Sequence, residues 1–115
     1  METYPEKLGK TTIDITVLTN IAKLTSLSVP GVSKMSTGPH SVNSLLKKNY
    51  FDGVMVDVEN NTVYVDLYLV LHADTALLKT SRTVQQKVSR AITEMVGMEI
   101  GHVNVHIEDV DYQNK

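Results

Sequence analysis

Apolar residues recur along this chain at two different periods, and each period marks a different kind of element. The clearest stretch is GVMVDVENNTVYVDLYLVLHAD, residues 53–74. Asn60 and Asn61 suit a two-residue turn that needs positive φ. Reversing the chain there sets Val58 opposite Val63, Val56 opposite Val65 and Val54 opposite Leu67, three apolar pairs. The alternate positions pair Asp57 with Tyr64 and Met55 with Asp66. Two apolar patterns meeting in one register predict a hairpin with a single buried face.

Helical spacing governs two longer segments. In IDITVLTNIAKLTSLSVPGV, residues 13–32, the positions Val17, Leu18, Ile21, Ala22, Leu24 and Ser28 share one side. Asp14 or Thr16 can cap the start, because either side-chain oxygen can accept from the free amides of the first turn. Pro30 cannot continue the helix, and Gly31 accommodates the reversal. In TALLKTSRTVQQKVSRAITEMVG, residues 75–97, the side formed by Leu77, Val84, Val88, Ala91, Ile92 and Met95 is apolar. Lys79, Arg82, Gln86 and Arg90 fall opposite, and Gly97 closes the helix. Short strands are expected over KTTID before the first helix and over GVSKMST after it. A last strand is expected over IGHVNVHIEDV. Residues 38–52 show no clean period and read as a surface loop, with a short helical turn at SLLKK.

The expected fold is α+β in the order β-α-β-β-β-α-β, a mostly antiparallel sheet with two long helices packed on one face. Val56, Val58, Val65, Leu67, Val84, Val88, Ile92, Val103, Val105 and Ile107 are the expected core. A chain of 115 residues, 42% hydrophobic and 21% charged, suits one globular domain over residues 1–115, with residues 1–9 as a flexible lead-in. The net charge of −2 gives no overall pull toward nucleic acid or an anionic membrane. The absence of cysteine removes disulfides, thiolate metal sites and cysteine nucleophiles, and fits a reducing, cytoplasmic setting. METYPEKLGKTT lacks the apolar core of a signal peptide, and no apolar run approaches the ~20 residues of a spanning helix. Direct membrane insertion is not expected.

The segment that invites a chemical reading is VNVHIEDVDY, with His102 just before it. Two histidines four residues apart on a helix could share a metal ion. Here Val103, Val105 and Ile107 alternate with His102, Asn104, His106 and Glu108, which is the period of a strand. At about 3.3 Å per residue the two histidines then stand roughly 13 Å apart along the backbone. They are not expected to chelate one ion together, and no metal, cofactor or catalytic residue is expected. An uncharacterised enzyme with a cross-strand site, bringing Asp66 or His72 beside one of these imidazoles, is one alternative. A small RNA-binding module using Lys47, Lys48, Lys79, Arg82 and Arg90 is another, though nucleic acid is not the expected partner. Nothing in the chain matches a nucleophile elbow or a phosphate-cradling loop.

Three stretches together resemble the alkaline shock protein family, the envelope stress response proteins of Gram-positive bacteria. GKTTIDITVLTNIAKLTSLSVPGVSKMS is similar to the family's opening, and DGVMVDVENNTVYVDLYLVLHAD to its central hairpin. VQQKVSRAITEMVGMEIGHVNVHIEDVDY resembles its closing section, where a helix leads through a glycine into a Val-Asn-Val-His strand. The loop between Thr37 and Asp52 is poorer in glycine than the family pattern, and no Pro-Glu pair follows the first helix cap. The resemblance implies a non-enzymatic bacterial cytoplasmic protein that supports cell-envelope homeostasis through protein–protein interaction. It also implies gathering at the membrane through an anchored partner.

The uncovered side of the sheet would collect Met55, Asp57, Tyr64, Asp66, Tyr68, Val70, His72, His102, Asn104 and His106. Tyr64, Asp66, Tyr68, His102, Asn104 and His106 are the candidate interaction face, for self-association or for a protein partner. Tyrosine there joins a large apolar area to a polar tip, as interfaces favour.

Overall fold

Asn60 and Asn61 turn the central hairpin with φ of 50° and 63°, the left-handed pair that a two-residue turn demands. The computed structural model describes residue 9 and residues 11–37 and 50–112. On either side of the turn lie β3 (Val54–Glu59) and β4 (Thr62–His72), preceded by α1 (Ile15–Leu27), β1 (Val32–Met35) and β2 (Tyr50–Phe51). After them come α2 (Leu77–Val96) and β5 (Glu99–Asp111). The hairpin register is the expected one, with Val54, Val56 and Val58 opposite Leu67, Val65 and Val63.

β4 organises the sheet. β3 and β1 pair antiparallel with successive lengths of it, Thr62–Leu67 and Leu69–Leu71, so they share one edge end to end. The other edge carries β5 in parallel along the whole strand, and β2 extends the sheet beyond β3. A parallel pair requires a crossover, and α2 supplies it. α1 and α2 cover one face. Leu18, Ala22, Val84, Val88 and Ile92 meet Val54, Val56, Val63, Val65, Leu67, Leu69 and Leu71 in one closed core. Each valine, leucine or isoleucine among them contributes roughly 1.5–3 kcal/mol by leaving water. Asp14 is the N-cap of α1, accepting from the Thr16 amide at 3.1 Å, and Gly97 ends α2 with φ of 78°.

The α+β class and the two helices on a mostly antiparallel sheet are those expected, with differences at the margins. Thr11–Asp14 form no strand, and Lys10 lies outside the described residues, as do residues 38–49 with the expected SLLKK turn. Tyr50 and Phe51, read as the end of a loop, instead pair with Met55 and Val54. Val17, Leu24, Leu77 and Met95 are exposed rather than packed. The first two lie on the far side of α1 from its buried line of Leu18, Thr19, Ala22 and Ser26. The other two lie in the first and last turns of α2. Val58, Val105 and Ile107 are only half-buried, the last two because they stand on an edge strand.

Candidate functional site

The face of the sheet away from the helices is built by the partner register of β4 and β5. Tyr64 pairs with His102, Asp66 with Asn104 and Tyr68 with His106, so all six candidate residues stand together in two adjacent rows. β5 carries two bulges, and the first of them makes this possible. Ile100 pairs with Val63 and His102 with Tyr64, leaving Gly101 as an extra residue; Ile107 pairs with Leu69 and Asp109 with Val70, leaving Glu108 extra. Without the first bulge His102 would point into the core.

Gly101 has a second role. A Cβ at that position would sit 2.2 Å from the Tyr64 ring, so the ring rests where only glycine leaves space. Tyr64 then meets the His102 ring edge-on, centroids 5.2 Å apart at 65°. Tyr68 stacks on His106 at 4.6 Å and 11°, and Tyr50 closes on its other side at 6.1 Å and 68°. Such aromatic geometries add about 0.5–1.5 kcal/mol beyond the area they bury.

Asp66 is the polar centre. Its Oδ1 accepts from His106 Nε2 at 3.0 Å and from Asn104 Nδ2 at 3.2 Å, and its Oδ2 lies 3.7 Å from His102 Nε2. Burial alone would raise this carboxyl. The hydrogen bonds from His106 and Asn104, with the charges of His106 and His102, outweigh burial and hold it below the ordinary 3.8. An ionised Asp66 can only accept, which places the hydrogen on Nε2 of His106. Burial, followed by the charges of Asp66 and Glu108, pushes the Tyr68 phenol above 10.0, so it remains a neutral donor.

The backbone separation of His102 and His106 does not keep their rings apart, because both lean onto the one carboxylate between them. Strand spacing fixes Cα positions, whereas an imidazole reaches several ångströms along the strand. Among the described residues no three His, Cys, Asp or Glu side chains are placed to hold a metal ion. His72 joins a different neighbourhood. It pairs with Asp111, whose Oδ2 accepts from Ser33 Oγ at 2.6 Å.

Exposure divides the six residues. His102 and Asn104 are exposed, Tyr64, Asp66 and His106 are half-buried, and Tyr68 is only 8% exposed beneath its neighbours. Sequence reasoning missed Tyr50 at this face and the part of Gly101; it set Glu108 on the polar side of the last strand but not among the candidate residues. An isolated glycine within a strand pattern is a signal of a bulge or close approach. Beside Tyr64 and His102 a shallow depression of about 400 Å³ is lined also by Met55, Asp57, Glu59 and Asp66. Of the residues in the RNA-binding alternative, Lys79, Arg82 and Arg90 lie exposed on α2, with Arg90 bound to Glu94 at 3.0 Å. Lys47 and Lys48 lie outside the described residues. No helix among the described residues is long and apolar enough to cross a membrane.

YqhY of Bacillus subtilis (strain 168) is 29% identical over 112 residues, which span 94% of this chain and 82% of that protein. Spy1614 of Streptococcus pyogenes serotype M6 is 28% identical over 83 residues, 71% of this chain and 69% of that one. Among solved structures the MamM CTD superposes with a TM-score of 0.53, covering 84% of this chain and 96% of that domain at 11% identity. A likeness at that identity concerns the fold alone. A match spanning residues 3–112 shows that the chain belongs to the alkaline shock protein 23 family, a family of cell envelope-related function.

Proposed function

We propose that this chain is a non-enzymatic, single-domain scaffold of the envelope stress response that works through protein–protein contact on the open sheet face. In this reading it is a cytoplasmic protein brought to the membrane by an anchored partner. The observation that carries the proposal is the convergence of His102, Asn104 and His106 on Asp66. Those bonds fix the side chains of an uncovered surface before any partner arrives, which lowers the ordering cost of association. Tyr64 and the two imidazoles then offer rigid, half-wet aromatic area, the kind on which protein contacts centre. Asp66 is already engaged by its donors, which argues for a structural part rather than that of a free general base.

The test is recovery of partners by the tagged chain from its own cells, with and without the membrane fraction. The expected result is recovery that requires the membrane fraction and is lost in the double variant Tyr64→Ser, His102→Ala with an unchanged far-ultraviolet spectrum. Recovery indifferent to this variant would remove the open face as the docking surface.

A further inference from the structure

The net charge of −2 conceals a segregation of sign between the two sides of the domain. The outer side of α2 carries Lys79, Arg82, Lys87 and Arg90, all exposed. The only acid on that helix is Glu94, bound to Arg90. On the open sheet face the described carboxylates are Asp57, Glu59, Asp66, Glu108, Asp109 and Asp111. Lys34 and the imidazoles of His72, His102 and His106 are the bases described there.

We infer that the open sheet face of one copy receives the outer face of α2 from a second copy, a head-to-tail contact between unlike surfaces. This rests on the proposed role of the sheet face and names its occupant. Charge decides the geometry. Two-fold pairing is the commoner arrangement of identical chains. Here, however, two sheet faces would set carboxylates against carboxylates, and two α2 faces would set cations against cations. Only the unlike pairing brings opposite signs together.

The dimensions agree. From Lys79 to Arg90 the basic row rises about 16 Å along the helix. From the level of Asp57, opposite Tyr64, to that of Asp109, opposite Val70, the acidic face extends about 20 Å along β4. Joining copies by adding strands at the outer edge of β5 is the less favourable route. That edge is interrupted by bulges at Gly101 and Glu108, and Gln85 Nε2 already donates to the Val103 carbonyl at 3.0 Å.

A head-to-tail contact leaves one unused face of each kind at the ends of any assembly, which gives the test its form. Sedimentation velocity of the full chain is compared at about 0.02 M and about 0.5 M salt, where screening lengths differ several-fold. Two charge-reversed variants are made: Asp57→Lys with Glu59→Lys on the sheet face, and Lys79→Glu with Arg82→Glu on α2. All four positions are exposed, so folding is expected to survive and is checked by thermal melting. The expected result is concentration-dependent assembly of the unmodified chain at low salt, lost at high salt. Each variant alone is expected to be monomeric, because its two faces then carry the same sign, and an equimolar mixture of the two to regain assembly, because every contact between unlike variants again brings opposite signs together. An α2 variant that assembles like the unmodified chain would overturn head-to-tail docking while leaving the sheet-face scaffold standing. So would an unmodified chain that is monomeric at low salt yet still recovers its membrane-fraction partner.

Discussion

His106 lies flat against Tyr68, ring centroids 4.6 Å apart and planes 11° from parallel, although the two residues come from strands separated by the whole of α2. With Tyr50 on its other side, Tyr68 is 8% exposed and belongs to a small secondary core on the open face. Tyr68→Ser is therefore expected to cost about 2–4 kcal/mol, through lost aromatic area and the space left behind. Urea unfolding measures it. A midpoint within error of the unmodified protein would mean that this stack contributes nothing, and that Tyr68 is an ordinary surface residue.

The central core gives a comparison within one sheet. Val65 is fully buried and Val105, opposite Leu67 on the edge strand, is half-buried. Val65→Ala is expected to cost about 1–3 kcal/mol, and Val105→Ala a smaller part of that range. Equal losses would show that β5 packs as tightly as β4 and that its outer edge is covered in solution.

How much of this was legible beforehand follows from how local each signal is. The hairpin register could be read because the Asn60–Asn61 turn fixes it and two apolar patterns must then coincide. The long helices could be read because their apolar faces repeat over several turns. The parallel pairing of β4 with β5 could not, since nothing in either strand's own alternation says which neighbour it takes. That pairing, with the bulge at Gly101, is what gathers His102, Asn104 and His106 around Asp66. The six residues could be assigned to one face by their period, but their mutual bonds depend on strand order. The burial of Tyr68 escaped for the same reason, because it needs Tyr50 from a two-residue strand with no periodic signature.

Gly101 offers a direct probe of that gathering. Gly101→Ala places a methyl group 2.2 Å from the Tyr64 ring. The ring is half-buried and can swing outward, so the expected cost is about 1 kcal/mol, at the low end for overpacking. The more informative readout is the His102 ring in nuclear magnetic resonance, which is expected to lose the shift imposed by the edge-on tyrosine. If His102 is unmoved while stability falls, Tyr64 did not occupy the space that glycine leaves.

The Asp66 carboxyl supplies the last prediction, and its sign follows from the direction of its shift. Its folded value lies below 3.8, because donation from His106 and Asn104 and the nearby imidazole charges overcome the effect of burial. A carboxyl lowered by folding stabilises the native state fully above its unfolded value, near 3.9, and loses that contribution as pH falls through the folded value. Stability is therefore compared with that of Asp66→Asn from pH 5 to pH 2. The asparagine cannot ionise, but it keeps the size and an acceptor oxygen. The unmodified protein is expected to be the more stable near pH 5, with the difference holding to about pH 4 and shrinking below it as Asp66 takes up its proton. A difference that stays constant down to pH 2 would mean that Asp66 does not titrate against these donors in that range. Its three neighbours would then hold it by shape alone, and the polar centre of the open face would be a packing feature rather than an ionic one.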